Sequence, residues 1–291
     1  MSAGKVVVVV LNWCGEADTA ACLTSLAATT YAPMEVLLVD NGSPDGSGDR
    51  LHAAFPHLPY VQTGRNLGFT GGNNVGIAWA LEHGADYVVV LNNDTVVAPD
   101  CVARLVAAAG SRERVGAVAP TMLVHDAPEL VWYAGGTLSR LRGLGRHVAE
   151  GTRAPDVDEG MRPEAVTFIT GCCMLLTRDA IETVGTFDDS YFAYCEDADL
   201  SVRLTHAGFA LLHEPRARLL HRVPVGPTEP SPFQIELRDR NRRRFVRLRL
   251  SAPWRAAFCL WFYPTRLAHL ARYVARGDRA RAAAILRGAF A

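Results

Sequence analysis

Runs of apolar residues that do not alternate with polar ones recur through the first 110 residues, and polar residues follow each run. Strands with this pattern are typical of parallel sheets, which are covered on both faces. The predicted strands are Val6–Leu11, Met34–Val39, Tyr60–Thr63 and Tyr87–Leu91. Apolar residues at helical spacing predict helices between or after them, at Asp18–Ala28, Asn73–Glu82 and Pro99–Ala109. This alternation indicates an α/β fold with a mostly parallel sheet flanked by helices.

The pattern changes beyond about residue 115. Gly116–Pro120 and Val166–Ile169 are predicted strands, and the segment Leu123–Pro163 between them has no clear period. A connection of that length inside a compact domain is usually functional or mobile. After it, the sequence predicts two helices and two short extended pieces, at Arg178–Val184, Ala198–Ala207, Ala210–His213 and Leu219–His221.

Prolines between residues 224 and 232 mark a break, and two further helices are predicted beyond it, at Gln234–Leu250 and Trp254–Ala275. We therefore expect a first domain over residues 1–232 and a helical extension over residues 233–291. The formal net charge of zero conceals an asymmetry between them, because residues 234–291 hold fourteen arginines and three acidic residues.

The arginines, set beside an aromatic-rich segment, suggest a helix that lies on an anionic membrane surface. One alternative is that the aromatic residues pack on the rest of the protein or on a second subunit, which would give a homodimer. RNA binding is a weaker alternative, because no RNA-binding motif accompanies the arginines. We expect no nucleic-acid partner.

The sequence also indicates a compartment. No run approaches the roughly 18 uncharged apolar residues that a membrane-spanning helix requires. The seven cysteines include no CxxC pair, which argues against a zinc site or a disulfide framework. We therefore expect a reducing, cytoplasmic location, with the basic extension on the cytoplasmic face of the cell membrane.

The polar triplet Asn92-Asn93-Asp94 directly follows the fourth predicted strand. In an open α/β sheet, ligands bind beyond the carboxyl ends of the strands. A carboxylate there can hold a divalent cation, because Mg²⁺ takes one or two protein carboxylates and completes its shell with water and phosphate oxygens. The alternative is an Asx turn that only ends the strand. Asn12 and Asp40 follow the first two strands, where a base or ribose could be contacted, although Asp40 also fits a turn.

A glycine-rich loop, Gly64–Gly76, runs into a predicted helix. Glycines permit close backbone approach, and a helix N-terminus favours anionic groups. The loop matches neither of the two standard phosphate-binding signatures. It nevertheless holds an arginine and three asparagines, and we expect a role in nucleotide binding.

Two candidates lie in the second half of the chain. Glu196, Asp197 and Asp199 open a predicted helix, where acids commonly just complement the helix dipole. Three carboxylates so close together can also raise one pKa and provide a general base for a hydroxyl nucleophile. His221 ends an extended piece before the proline-rich break. Neutral imidazole is a common metal ligand, but a lone histidine is more often structural.

Assembled in order, these residues resemble the inverting glycosyltransferases of family 2, which have the GT-A fold, and especially their bacterial rhamnosyltransferase-like branch. The resemblance covers about residues 5–250. It rests on six motifs: Leu11-Asn12-Trp13, Val39-Asp40-Asn41-Gly42-Ser43, Arg65-Asn66-Leu67-Gly68-Phe69 with Gly71-Gly72-Asn73-Asn74, Leu91-Asn92-Asn93-Asp94, Thr170-Gly171-Cys172-Cys173-Met174 and Glu196-Asp197-Ala198-Asp199-Leu200.

The resemblance implies residue roles. Asp94 matches the last acid of the family's DxD motif and would bind Mg²⁺ or Mn²⁺, and His221 matches a histidine that completes the metal site in some members. Asp197 would be the base that deprotonates the acceptor hydroxyl. The nucleotide-sugar would contact the other motif residues, namely Asn12, Asp40, Arg65, Asn66, Gly72, Asn73, Asn92, Asn93, Gly171, Cys172 and Glu196. Residues 1–115 and 116–232 would then be the nucleotide-binding and acceptor halves of the catalytic domain.

One departure concerns the first DxD position, which is Asn92 and not Asp. Sequences of this Asn-Asn-Asp form are often associated with dTDP-rhamnose. The resemblance therefore implies transfer of a sugar from a dTDP- or UDP-sugar, with L-rhamnose as a candidate, to a hydroxyl of a glycan or lipid-linked glycan in cell-surface polysaccharide synthesis.

Two other function classes stay open. A nucleotidyltransferase that makes the sugar nucleotide should have a glycine-rich signature with a basic residue directly after the first strand, and Leu11–Gly15 offers none. A non-catalytic glycan- or nucleotide-binding module is the third class, and the retention of Asp94, Asp197 and His221 weighs against it.

Overall fold

The computed structural model describes residues 4–225 and 228–290, and two residues of the predicted proline-rich break, Gly226 and Pro227, lie outside these ranges. Its centre is a ten-stranded mixed sheet with the order β10-β12-β6-β11-β4-β1-β2-β3, where β5 also pairs with β12 and β7 with β6. The strands are β1 Val6–Asn12, β2 Met34–Asp40, β3 Tyr60–Gln62, β4 Tyr87–Asn92, β5 Thr95–Val97, β6 Val115–Val124, β7 Ala127–Tyr133, β8 Gly136–Ser139, β9 Leu144–His147, β10 Glu164–Val166, β11 Cys173–Thr177 and β12 Ala210–His221.

Helices cover the sheet and extend beyond it. They are α1 Glu16–Leu26, α2 Ser47–Ala54, α3 Gly68–Glu82, α4 Cys101–Ala109, α5 Arg178–Val184, α6 Glu196–His206, α7 Pro232–Arg249, α8 Ala252–Ala275 and α9 Arg279–Ile285. A 3₁₀ turn at Asp189–Tyr191 and a π-helical turn at Leu286–Phe290 complete the regular structure of the described ranges. The predicted helices are confirmed, with starts that differ by a few residues.

The four strands of the first half pair in parallel, as predicted. Asn12 lies opposite Asp40 across β1 and β2, and Leu11 lies opposite Asn92 across β1 and β4. The polar residues that follow these strands therefore share one edge of the sheet. Their apolar residues form the buried core, since Val6–Val10 and Val88–Leu91 are almost completely shielded from solvent.

The prediction of a strand at Val166–Ile169 is wrong. β10 ends at Val166, and Phe168 and Ile169 are apolar because they are buried as irregular backbone. The strand that the sheet uses instead is β11, which lies antiparallel between β4 and β6. Its first residue, Cys173, is opposite Leu91. The segment before β11 is thereby placed against the end of β4.

The segment Leu123–Pro163, predicted to lack regular structure, contains β7 and the β8–β9 hairpin. Its strands are short and partly exposed, so they leave no clear period in the sequence. The two extended pieces predicted at 210–213 and 219–221 are one strand, β12, with an irregularity between Glu214 and Arg218. The full length of β12 carries His221 to the edge where β5 begins, opposite Thr95.

Glycines in α3 allow this helix to pack closely on the sheet. A Cβ at Gly76 would lie 2.2 Å from Val9 Cγ1, and one at Gly72 would lie 2.5 Å from Leu11 Cδ1. Both neighbours are side chains of β1 that cannot move freely within the sheet. The glycine-rich sequence therefore supports helix–sheet packing at these two positions.

The C-terminal helices pack against the sheet domain and one another. α7 begins with a capping box, in which Ser231 and Gln234 bond each other's backbone N–H groups, and with Pro232 in its first turn. Phe245, Phe258 and Phe262 are fully or almost fully buried. The predicted domain boundary at residue 232 coincides with the start of α7 and stays a prediction.

Candidate active site

A cavity of about 700 Å³ opens beside the ends of β4 and β12 and the start of α6. Six of the predicted site residues line it, namely Asn92, Gly171, Cys172, Glu196, Asp197 and His221. The β6–β9 region adds Trp132 and His147, and α7 and α8 add further polar side chains. The fold thus brings residues from distant parts of the chain to one concave surface.

Asp197 lies in the first turn of α6. Its Oδ1 accepts a hydrogen bond from the N–H of Ala198 at 2.8 Å, and its Oδ2 accepts one from the N–H of Gly171 at 3.2 Å. Burial raises the pKa of the Asp197 carboxyl to about 6, and the backbone N–H groups oppose this rise. The group is therefore ionised at neutral pH and accepts a proton readily, as a general base must.

The neighbouring Glu196 is buried, without a partner among the described residues for one of its carboxyl oxygens. It is only 6% exposed, and its Oε2 has no hydrogen-bond partner in the described part of the chain. Burial, followed by the charge of Asp197, raises the pKa of Glu196 well above its ordinary value. Adjacent carboxyls whose pKa values are pushed apart divide acid and base roles. Of this pair, Asp197 is the better candidate for the base, because the backbone N–H groups of Gly171 and Ala198 stabilise its ionised form.

Asp199, the third acid of the segment, is structural. It is fully buried and accepts hydrogen bonds from the Tyr191 hydroxyl, from Arg203 and from Arg249. Arg249 is the last residue of α7, so this carboxylate joins α6 to the C-terminal helices.

Asp94 and His221 meet at the edge of the sheet. The Oδ1 of Asp94 is 3.2 Å from the Nε2 of His221. This Oδ1 and the Nδ1 of His221 are both buried, and neither has a hydrogen-bond partner among the described residues. Adjacent ligands of an octahedral ion with bonds of about 2.1 Å lie about 3 Å apart. The pair therefore fits a shared divalent cation.

A cation held by Asp94 and His221 would need further ligands from the bound substrate and from water. Within residues 4–225 and 228–290, no group of three or more His, Cys, Asp or Glu residues could hold a metal. Two protein ligands, with phosphate and water in the other positions, are common for Mg²⁺ in sites that bind diphosphates. Trp132 packs edge-on against the His221 ring, with centroids 4.3 Å apart, and limits its orientation.

The side chains of Asn12 and Asp40 lie inside the protein. Asn12 Nδ2 donates to Asp40, Ser43 and Ser47, and its Oδ1 accepts from Gly15 and Thr19. Both side chains are fully buried. The predicted direct contact of Asn12 with a base is therefore not available in this conformation, because its polar atoms hold the loops after β1 and β2 together.

The other nucleotide-binding candidates divide by exposure. Arg65 and Asn66 are exposed beside the buried Asn41, whose side chain bonds Asn66 and the backbone of the next residues. Gly72 and Asn73 are buried within α3, where Gly72 packs on β1 and Asn73 donates to the carbonyl of Phe69. Gly72 and Asn73 therefore support the fold, and their contacts with the nucleotide-sugar stay a prediction. Asn93 bonds the hydroxyl of Thr19.

The sequence of residues 5–185 matches the profile of Glycosyl transferase family 2. The chain belongs to this family. It is 31% identical over 253 residues to the N-acetylglucosaminyl-diphospho-decaprenol L-rhamnosyltransferase of Mycobacterium tuberculosis, covering 80% of this chain and 81% of that protein. It is 26% identical over 243 residues to the low-salt glycan biosynthesis hexosyltransferase Agl10 of Haloferax volcanii, covering 81% of this chain and 73% of the relative.

Solved structures share the fold. GalNAc-T7, crystallised with UDP, GalNAc and Mn²⁺, has a TM-score of 0.67 at 17% identity over 85% of this chain. This chain spans about half of GalNAc-T7, 48% of its length. The mannosyltransferase PcManGT of Pyrobaculum calidifontis, in complex with GDP-Man and Mn²⁺, has a TM-score of 0.58 at 17% identity, covering 98% of this chain and 86% of that one.

These comparisons confirm the GT-A fold and the prediction of a glycosyltransferase of family 2. Among the three function classes left open by the sequence, they favour the transferase. Two of the similar structures contain Mn²⁺, as expected for a fold that commonly uses a divalent cation.

Sequence reasoning missed the residues that hold the base in place. Phe192, Tyr194 and Cys195, directly before α6, have positive φ angles of 64°, 69° and 70°. Bulky residues rarely adopt this conformation, and such strain persists only where surrounding structure enforces it. We call the segment Tyr191–Cys195 the base-proximal turn. Gly68 makes room for it, since a Cβ there would lie 2.5 Å from Phe192.

Asn241 of α7 is the main support of the base-proximal turn. Its Nδ2 lies 2.7 Å from the carbonyl of Tyr191, 2.7 Å from that of Ala193 and 3.0 Å from that of Tyr194. Asn241 is fully buried. Gln234 adds a hydrogen bond to the Tyr194 hydroxyl at 3.1 Å. No local sequence pattern links position 241 to a turn almost fifty residues earlier, so only the tertiary structure identifies this role.

We predict that Asn241→Ala lowers kcat about 10- to 100-fold, because the carbonyls of Tyr191, Ala193 and Tyr194 lose the two N–H donors that they share, at about 1 kcal/mol for each hydrogen bond, and Asp197 shifts. The KM for the donor should change by no more than about two-fold, since Asp94 and His221 are untouched. Asn241→Asp, which keeps the size but not the donor, should show the same loss. Steady-state kinetics with purified variants would measure both parameters.

Leu248→Ala is the control on the same helix, because Leu248 is exposed and outside the cavity. It should leave kcat unchanged. Thermal unfolding separates a local from a global effect, and Asn241→Ala enzyme that remains folded with normal kcat would contradict the assigned role.

Proposed function

We propose that this glycosyltransferase moves L-rhamnose from dTDP-rhamnose to a sugar hydroxyl of a lipid-linked glycan. The mycobacterial relative, which covers most of this chain, is named as a rhamnosyltransferase that acts on N-acetylglucosaminyl-diphospho-decaprenol. The Asn-Asn-Asp form of the metal motif agrees with the same donor. The proposal is carried by the position of Asp197, an ionisable carboxylate that lines the same cavity as His221 and Asn92.

The reaction that this arrangement supports is a single displacement. The acceptor oxygen attacks the anomeric carbon while the Asp197 carboxylate takes its proton. The bond from the anomeric carbon to the diphosphate oxygen breaks, and its electron pair leaves with the nucleoside diphosphate. Attack from the face opposite the leaving group inverts the anomeric configuration. Burial and the neighbouring Asp197 charge raise the pKa of Glu196 well above its ordinary value, so Asp197 is the carboxyl assigned as the base.

Asp94 and His221 would hold Mg²⁺ or Mn²⁺, and Asn92 lines the cavity beside them. When bound, the ion neutralises the charge that develops on the diphosphate. The site has one carboxylate less than a DxD motif with two acids, because Asn92 is neutral.

The nucleoside would lie along the ends of β1 and β2. Arg65 and Asn66 are exposed there and would contact it directly. Asp40 and Asn12 would act from within, by fixing the loops on which the nucleoside rests. Gly171 and Cys172 lie beside Asp197 and the end of β4, so they would contact the donor sugar.

We predict that Asp197→Asn lowers kcat by about 10²- to 10⁴-fold, the usual contribution of a general base. The wild-type kcat/KM should fall about ten-fold per pH unit below about pH 6 and level off above it. This follows because burial raises the pKa of Asp197 to about 6 and only the deprotonated form accepts the proton. Release of dTDP from dTDP-rhamnose in the presence of acceptor would report both effects.

Asp156→Asn serves as the control, because Asp156 is exposed on a different segment. A flat pH profile between 5 and 7, or Asp197→Asn enzyme with near-normal kcat, would show that another group is the base. If no dTDP- or UDP-sugar supports transfer to any glycan acceptor, the proposed function is wrong.

We also propose that α8 lies on an anionic membrane. Leu260, Leu267 and Val274 follow one another at intervals of seven residues, close to two helical turns, and are 79%, 54% and 62% exposed. Arg272 of the same helix and Arg276 directly after it are exposed. An apolar stripe flanked by arginines is typical of helices that bind anionic lipid surfaces. No helix in the described ranges is long and apolar enough to cross a membrane.

We predict that the protein floats with vesicles containing anionic phospholipid and that Leu260→Glu combined with Leu267→Glu abolishes flotation. Leu141→Glu combined with Val148→Glu makes the same charge change at exposed apolar residues elsewhere and should still float. If wild type stays in the soluble fraction, sedimentation would show whether the stripe forms a homodimer instead.

A further inference from the structure

One side of the 700 Å³ cavity is formed by the C-terminal helices and is lined by charged residues. Arg238, Asp239 and Arg242 of α7 and Arg266 of α8 line it together. These residues belong to different elements from Asn92 and His221, where the donor would bind. They share the cavity with Asp197, to which an acceptor hydroxyl must come. We call the three arginines the arginine wall.

The arginine wall carries more positive than negative charge. Asp239 Oδ1 is 3.0 Å from Arg266 Nη1 and 3.8 Å from Arg242 Nη1, so one carboxylate faces two guanidinium groups, and Arg238 adds a third. Burial, followed by the proximity of Arg266, lowers the pKa of Arg242 to about 10. Excess buried charge is unfavourable unless a counter-ion compensates it. An anion in the cavity would supply that compensation.

Donor groups on the arginine wall remain without protein partners. Arg266 Nε is buried and has no hydrogen-bond partner in residues 4–225 and 228–290. Arg238 is exposed and stacks over the Tyr194 ring at 4.5 Å, and no hydrogen bond or ion pair holds its guanidinium within those ranges. The Nε and Nη2 of Arg242 instead donate hydrogen bonds to the carbonyl of Arg142. Arg238 and Arg266 therefore offer donors, and Arg242 adds charge.

We propose that the arginine wall binds the diphosphate group of an acceptor substrate, directly beside the sugar that receives the transfer. The planar guanidinium fork matches phosphate oxygens in pairs, which suits this pairing. The inference rests on the proposed glycosyl transfer, since it requires an acceptor hydroxyl at Asp197. It specifies that the acceptor is anionic next to its sugar, and that the C-terminal helices select it.

The test compares two acceptors that differ only in this charge. One is N-acetylglucosaminyl diphosphate linked to a short prenyl chain, and the other is an uncharged alkyl N-acetylglucosaminide. Wild-type enzyme should favour the diphosphate acceptor in kcat/KM. Arg238→Gln should lower kcat/KM for that acceptor about 10- to 100-fold, as expected for loss of hydrogen bonds to a charged group, and change it by less than two-fold for the uncharged one.

Arg266→Lys is the second variant. It keeps a positive charge beside Asp239, which protects folding, but removes the guanidinium fork. It should weaken use of the diphosphate acceptor in the same selective way. Arg279→Gln removes a charge from an exposed position on α9 that does not line the cavity, and it should alter neither acceptor.

Inorganic pyrophosphate distinguishes the two sources of a diphosphate. It should inhibit transfer competitively against the acceptor and not against the nucleotide-sugar, and Arg238→Gln should raise its inhibition constant about ten-fold. Competition with the nucleotide-sugar would instead mean that the arginines hold the donor, and would overturn the proposal.

The remaining outcomes are also decisive. Equal kcat/KM for both acceptors in wild-type enzyme, or an equal loss of kcat/KM for both in Arg238→Gln, would contradict binding of the acceptor diphosphate by the arginine wall. Either result would leave the proposed glycosyl transfer intact. Absence of transfer to either acceptor, and from any nucleotide-sugar, would overturn the proposed function together with this site.

Discussion

One backbone hydrogen bond joins the two halves of the active site. The N–H of Asn92 donates to the carbonyl of Cys172 at 2.8 Å, which continues the antiparallel pairing of β4 with β11 past Leu91 and Cys173. On one side it fixes the end of β4, from which Asp94 follows. On the other it fixes the segment whose Gly171 N–H bonds Asp197. The Asp94–His221 pair and Asp197, the proposed metal ligands and the proposed base, are both oriented by this one strand pairing.

The C-terminal helices complete the site that the sheet begins. The turn before α6, which leads to Asp197, is strained and is held by Asn241 from α7. The ion pair between Asp199 and Arg249 fixes α6 to the same helix. Arginines that look like one basic tail in the sequence thus have distinct environments. Some are exposed near an apolar stripe, others line the cavity, and Arg249 is committed to a buried carboxylate.

Much of the first half could be predicted because its signals are local. Apolar runs such as Val6–Val10 identify buried parallel strands, and parallel pairing alone brings the polar residues after them to one edge. The second half depends on long-range pairing. The strand β11 could not be distinguished from the predicted strand at 166–169, because both segments are apolar. β12 continues through an irregularity that resembles a break in the sequence. Asn12 and Gly72 match family motifs, yet their buried hydrogen bonds and close packing could be read only from the structure.

The most direct test is calorimetric binding of dTDP with and without Mn²⁺, since the Asp94–His221 pair belongs to no larger group of His, Cys, Asp or Glu ligands in residues 4–225 and 228–290. Wild-type protein should bind dTDP at least about ten-fold more tightly with Mn²⁺, because Asp94 and His221 would hold the ion and the ion would offset the negative charge of the diphosphate. Asp94→Asn should lose this enhancement, whereas Asp156→Asn at an exposed position should keep it. Equal dTDP affinity with and without Mn²⁺ in wild type, or unchanged Mn²⁺ dependence in Asp94→Asn, would contradict a donor site built on these two residues.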